Sequence, residues 1–209
     1  LVMEKQLPLL LDGDGISLLI GYAEYWRGVP RKRNLVITPN HREMARLCDH
    51  YSVPIAARDA ARQLSQALGN PVILQKGIDD LVSNGIRMEN ATHGLPGCPR
   101  RCAGQGDVLA GCIGAFMAWN TKALASVDPM DCAVFGARRV RKAAAECYKE
   151  YGRGMLASDL IQYLSAKLGI VTGHSLAETL GARFRSDAAR RAYWLRSEEH
   201  TSELQSRST

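Results

Sequence analysis

Pro99-Arg100-Arg101-Cys102-Ala103-Gly104-Gln105-Gly106-Asp107-Val108-Leu109-Ala110-Gly111-Cys112-Ile113-Gly114-Ala115-Phe116 falls into two halves of opposite character. The first half is basic and glycine-rich. The second is apolar, small and free of proline, so it predicts a buried helix. Gly104-Gln105-Gly106-Asp107 then forms the helix N-terminus, where backbone N–H groups are free and the dipole is positive. Glycines let that backbone approach a ligand, and Arg100 and Arg101 add positive charge; both suit a phosphate. An aspartate at the same point would repel an anion. Asp107 makes sense as an N-cap, or as a base taking the proton of a hydroxyl that attacks phosphorus. An ordinary capped helix explains the same four residues, so the rest of the chain has to decide.

Three short apolar runs precede this stretch, and each stops at a polar loop. Leu7–Leu11 ends in Asp12-Gly13-Asp14-Gly15, which is either a binding loop beyond a parallel strand or a simple turn. Asn34–Thr38 ends in Pro39-Asn40-His41-Arg42-Glu43, where Asn40 and Glu43 have the spacing of a capping box. The box accounts for those two residues but not for His41, a polar donor at the top of a strand. Pro71–Gln75 ends in Lys76-Gly77, a phosphate contact or a solvated lysine. Helices are predicted over Ile16–Tyr25 with Trp26 near the end, from Asn40 through Cys48, over residues 56–68, over residues 131–150, and from Ala157 to about Leu168. Gly69-Asn70 closes the third of these pieces. Residues 79–85 predict a strand and tight turn at the edge of the sheet. The Arg138–Lys142 patch reads as a solvated helix face.

Strands alternating with helices predict a parallel α/β sheet, whose ligands bind beyond the strands' C-terminal ends. All four polar loops then open on one edge, and a histidine, a lysine, two arginines and a glycine-lined helix end together suggest phosphoryl chemistry.

At 209 residues the chain is long enough for one sizeable domain; 46% hydrophobic and 23% charged residues are globular values. No run of eighteen apolar residues is present, so no membrane span is expected. A net charge of +6 suits a phosphate-rich small molecule and does not call for nucleic acid. The 6 cysteines include no C-x-x-C pair and no zinc spacing, which fits a reducing compartment. The chain starts at Leu1 without methionine and looks cut at that end. Arg196–Arg207 resembles an in-frame sequencing-adapter translation, and is set aside.

The segments Leu11–Gly15, Thr38–Glu43, Gln75–Gly77, Arg100–Gly111 and Ala157–Ile161 resemble, in this order, the ATP-dependent NAD(P)H-hydrate dehydratase family. The resemblance covers about residues 7 to 165. It implies a ribokinase-like three-layer α/β fold with a mostly parallel central sheet, incomplete at the N-terminus. The partial domain would be 1–168, with an extension at 169–195 and the adapter-like tail at 196–209. It implies phosphorylation of the hydroxyl of NADHX or NADPHX with ATP and Mg²⁺, followed by loss of phosphate and return of the ring's double bond. Asn40, His41, Arg42, Glu43, Met44, Ala45, Arg46 and Asp107 would contact the hydrated dinucleotide. Lys76, Gly77, Ile78, Asp79 and Asp80, with Gly97, Cys98, Pro99, Arg100, Arg101, Cys102, Ala103, Gly104, Gln105 and Gly106, would hold ATP. Asp107 would be the base, and no residue is assigned to a metal. The expected location is cytoplasmic or mitochondrial, and a homo-oligomer is left open.

Three features depart from the family pattern. Ala103 stands where the family usually has glycine, which would cost of order 1 kcal/mol if that position needs a positive φ. Gly13 replaces a usual alanine. The family's N-terminal strands and their glycine-rich segment have no counterpart. Two other readings remain: a kinase of the same fold acting on a small-molecule hydroxyl, and a fragment without activity.

Overall fold

The structure is a computed structural model and describes residues 7–22, 34–122 and 128–167. The sequence expectations for Tyr25, Trp26, Leu168, residues 169–195 and the adapter-like tail lie outside these.

Five strands form one sheet in the order β1-β2-β3-β4-β5: β1 (Leu9–Leu11), β2 (Leu35–Ile37), β3 (Val72–Gln75), β4 (Leu81–Ser83) and β5 (Met88–Asn90). The first three are parallel, and β3-β4 and β4-β5 are antiparallel. The sheet is therefore mixed, parallel where the chain crosses over through helices and antiparallel where tight turns suffice.

Each parallel strand is apolar on both faces because both faces are covered. Leu35, Ile37 and Ile73 point into one core with Ile16, Leu19, Met44, Leu47 and Leu64. Val36, Val72, Leu74 and Val82 point into the other, with Leu109, Ile113, Phe116, Phe135 and Leu160. The two-residue period of a strand does this sorting. The register agrees with it, since Leu10 sits opposite Val36 and both face the second core.

The first core lies under α1 (Asp14–Gly21), α2 (His41–His50) and α3 (Ala60–Ala67). β1, β2 and β3 advance in one direction, and crossovers of one hand place their helices on one face. The second face is covered by α4 (Gln105–Lys122), α5 (Pro129–Tyr151) and α6 (Ala157–Lys167). The result is three layers, helix-sheet-helix.

Local signals account for most ends. Asn40 accepts from the N–H groups of Arg42 and Glu43, and the Asn40 N–H donates back to Glu43 Oε2, so the capping box forms. Asp128 accepts from Met130 N–H with Pro129 next to it, which starts α5 two residues before the sequence expectation. Residues 56–59 are not part of α3, which begins at Ala60.

Two expectations about the basic stretches are corrected. α4 begins at Gln105, so Asp107 is its third residue and not its cap. The Arg138–Lys142 patch is not simply solvated. Arg138 binds the Ala91 carbonyl and Glu89, Arg139 lies over the Phe135 ring, and Arg141 donates to the Leu95 carbonyl.

Candidate active site

The C-terminal ends of the parallel strands are tied to each other. Thr38 N–H donates to the Leu11 carbonyl, and Lys76 N–H donates to the Pro39 carbonyl. The three loops that leave these strands therefore stay together at one edge. α4 points its N-terminus at the same edge, and the chain from Gly97 to Gly104 wraps around it.

A cavity of about 800 Å³ opens there. Asn40, His41 and Arg42 line one side, and Lys76, Gly77, Ile78 and Asp80 another. Gly97, Cys98, Pro99, Arg101, Cys102, Gln105 and Gly106 close it, over a floor of Leu109, Ala137, Val140 and Ala144 with Arg141 beside it. Its size is that of a ligand pocket, roughly 300–1,000 Å³.

The polar groups of the wall are fixed. Asp80 accepts from Gly77 N–H at 3.0 Å, and its own N–H donates to Thr92 Oγ1 at 2.8 Å. Burial pushes the Asp80 carboxyl above its ordinary range, against the pull of the Gly77 N–H and the Arg101 and Arg141 charges. Arg101 donates to the Gly77 carbonyl and lies 4.0 Å from Asp80. Asp79 accepts from the Asn90 amide, with His93 at 3.5 Å and Arg141 at 3.7 Å. The Asn90 bond holds the Asp79 carboxyl below its ordinary range. Gly77 is a glycine for want of space, because a Cβ would meet the Asp79 carbonyl at 2.6 Å.

At the helix end, Gly104 has φ +82°, and Gln105 N–H donates to the Cys102 carbonyl at 3.3 Å. Among the described residues the only non-glycines with positive φ are Ser52 and Asn70. Ala103 therefore carries no left-handed strain, and the cost feared from its methyl group does not arise; Gly104 makes the turn instead. Asp107 is exposed on the first turn of α4, and its carboxylate has no hydrogen-bond or ion-pair partner among the described residues.

The structure does not bring every expected residue to the cavity. Met44 is buried in the core beneath α2, and Glu43 is occupied by the cap. Arg46 donates to Ser17 Oγ on α1, and Ala45 is half-buried beside it. Arg100 reaches the Arg153 carbonyl, and Asp79 stands behind the wall with Arg141. Leu109, Ala137, Val140, Arg141 and Ala144 line the cavity and were not among the sequence candidates, while Asp12, read only as part of a loop that binds or merely turns, reaches the site through Lys76. The α5 residues could be read as ordinary helix positions only, since nothing local says which face of α5 meets the loop.

A parallel sheet edge, a glycine-lined helix end and several cations thus meet at one cavity. Residues 1–166 match the family model described as NAD(P)H-hydrate dehydratase. The chain belongs to the NAD(P)H-hydrate dehydratase family. It is 34% identical over 173 residues to the ATP-dependent (S)-NAD(P)H-hydrate dehydratase of Entamoeba histolytica, covering 82% of this chain and 55% of that protein. It is 34% identical over 166 residues to the enzyme of the same name from Bos taurus, covering 75% and 49%. The chain thus spans about half the length of the curated family members it matches. Among solved structures, a hypothetical protein of Streptococcus mutans superposes with a TM-score of 0.60 at 20% identity, covering 80% of this chain and 55% of that one. A ribokinase-like superfamily protein of Enterococcus faecalis gives 0.53 at 21%, covering 75% and 50%. These two likenesses establish the ribokinase-like fold.

Proposed function

We propose that this chain carries the nucleotide-binding and catalytic half of an ATP-dependent (S)-NAD(P)H-hydrate dehydratase. The reaction converts NADHX or NADPHX and ATP to NADH or NADPH, ADP and phosphate. One observation carries the reading: Asp107, a carboxylate without a partner among the described residues, stands one residue beyond Gly106, which lines the cavity at the start of α4. In this reading Asp107 is the base and the helix end beside it the anion hole. The γ-phosphoryl group would lie against the amides of Gly104–Gly106, where the helix end stabilises the charge that spreads over its oxygens. The substrate hydroxyl would give its proton to Asp107 as its oxygen bonds to phosphorus and ADP leaves. The C–O bond of the phosphate ester would then break, releasing inorganic phosphate, and the neighbouring ring carbon would give up a proton to solvent as the double bond returns.

Lys76 and Arg101 supply positive charge for the polyphosphate, and the apolar floor of Leu109, Val140 and Ala144 suits a purine ring. Asn40, the cap of α2, and His41 and Arg42 on its first turn line the cavity and are the candidates for contact with the dinucleotide. Among the described residues no group of three or more His, Cys, Asp or Glu could hold a metal ion. Mg²⁺ keeps waters and phosphate oxygens as ligands, so here it would enter as part of the MgATP substrate and offset the charge of the phosphates. The 6 cysteines, all free among the described residues, fit a reducing compartment, the cytoplasm or a mitochondrion.

The test mixes the protein with hydrated NADH, ATP and Mg²⁺ and follows the reduced-nicotinamide absorbance. An ATP-dependent rise with release of free phosphate supports the dehydratase. A stable phosphomonoester without that rise would instead mean a kinase. Asp107→Asn should lose at least about a hundredfold in turnover, within the range general-base catalysis supplies, while keeping its nucleotide affinity. Parent-like turnover of that variant would remove Asp107 from the chemistry.

A further inference from the structure

Among the cations at this edge, Lys76 has a partner that lies outside the residues expected to hold ligand. Lys76 Nζ donates to Asp12 Oδ1 at 2.7 Å, and the two side chains are 11% and 17% exposed. The residues are 64 positions apart, at the ends of β3 and β1, with β2 between them. The bond passes over the end of β2, whose chain turns away at Pro39.

The pair meets the first turn of α4. A Cβ added to Gly106 would lie 3.7 Å from Lys76 Nζ and 3.9 Å from Asp12 Oδ2. The ammonium is therefore held against the positive end of a helix, where a cation is repelled. Left alone, a flexible lysine would swing its charge into solvent. A brace between β1 and β3 would not need this position. We infer that Asp12 is a positioning residue, whose carboxylate holds the Lys76 ammonium at the N-terminus of α4 so that ammonium and helix amides meet one polyphosphate together. This rests on reading the cavity as a nucleotide site. An ammonium has three N–H donors; Asp12 takes one and leaves two for phosphate oxygens.

Two measurements test it. The first needs no nucleotide: the rate at which Lys76 is acylated by an N-hydroxysuccinimide ester, read by mass spectrometry on the folded protein. Asp12→Asn should speed that reaction several-fold, and Asp12→Glu, which keeps the charge, should fall between the two. An unchanged rate in Asp12→Asn overturns the inference. The second is a double-mutant cycle on MgADP affinity by calorimetry, with melting temperatures to confirm folding. Asp12→Asn should weaken binding about tenfold, the value of one charged hydrogen bond. Combined with Lys76→Met it should weaken binding no further than Lys76→Met alone. Additive losses would mean that Asp12 does not act through Lys76 and would overturn the inference. Should Asp12→Asn fail to fold, Asp12→Glu runs the same cycle, and parent-like affinity with a several-fold faster acylation would count against the inference. If Lys76 is released in Asp12→Asn but the parent binds no MgADP, the hold on Lys76 stands and the nucleotide reading falls.

Discussion

Asp80 is a carboxyl that the fold makes awkward to ionise. Its side chain is 10% exposed, and its pKa is raised chiefly by burial. A raised carboxyl binds its proton more readily in the folded than in the unfolded chain. Stability linked to it is thus greatest below the unfolded value near 3.8 and is lost as pH rises through the folded value. Asp59 and Asp79 act in the opposite sense, because hydrogen bonds from Arg62 and Asn90 hold them low. Their contribution is lost as pH falls; that of Asp59 is common to the parent and to an Asp80 variant, while Asp79 also feels the Asp80 charge, which adds to the rise of the Asp80 carboxyl. Asp80→Asn keeps an oxygen to accept from Gly77 N–H and does not titrate. The melting temperature of the parent relative to Asp80→Asn should therefore fall as pH rises from about 3.8 and then level off. A flat or rising difference would show that burial does not govern this group. The same residue shapes the turn that presents Gly77 and Ile78 to the cavity, so its discomfort is tied to the site.

The helices show how far local sequence reaches. The Asn40–Glu43 box was legible because both partners lie within one turn, and the structure contains both of its bonds. β2 and β3 were legible as unbroken apolar runs bounded by polar residues, because both are buried on two sides, whereas the polar, partly exposed β5 carried no such run and was not foreseen. The position of Asp107 in α4 was less legible: both a cap and a third-position carboxylate lie in the first turn, and φ at Gly104 decides between them. Lys76–Asp12 was not legible at all, since nothing in either loop specifies a partner two strands away. The contact of α4 with α5 is of the same non-local kind. Gly136 faces Ile113 so closely that a Cβ would meet its Cγ1 at 2.5 Å and its Cα at 3.6 Å. The Phe116 and Phe135 rings pack edge to face beside it, with centroids 4.7 Å apart. Gly136→Ala gains up to about 1 kcal/mol of helix propensity. Overpacking a tight core costs about 1–3 kcal/mol. The side-chain atom in the way is near the Ile113 backbone and has little room to yield, so the loss should win by about 1 kcal/mol. Urea denaturation measures this directly. A more stable Gly136→Ala would mean that the two helices separate easily.

At the scale of the molecule, the sheet is unevenly protected. Leu35, Val36 and Ile37 of β2 are at most 1% exposed, and β2 is paired on both sides. β1 is an outer strand, paired only with β2 among the described residues, and Leu9, Leu10 and Leu11 are only half-buried. An edge strand presents a row of unpaired backbone groups, and local opening there needs to break only one ladder. Amide exchange should reveal the difference. Peptides covering β2 and β3 should exchange through global unfolding, while those covering β1 should exchange at least about tenfold faster, an opening about 1.4 kcal/mol cheaper. The consequence reaches the site, because Asp12 follows directly on β1, and fraying of this strand would loosen the carboxylate that holds Lys76. Nucleotide binding should accordingly slow exchange in β1 even though the strand does not itself line the cavity. Protection of β1 equal to that of β2 in the free protein would mean that the edge is covered in solution, by further chain or by a second copy. The size of the particle by light scattering would then tell those two apart.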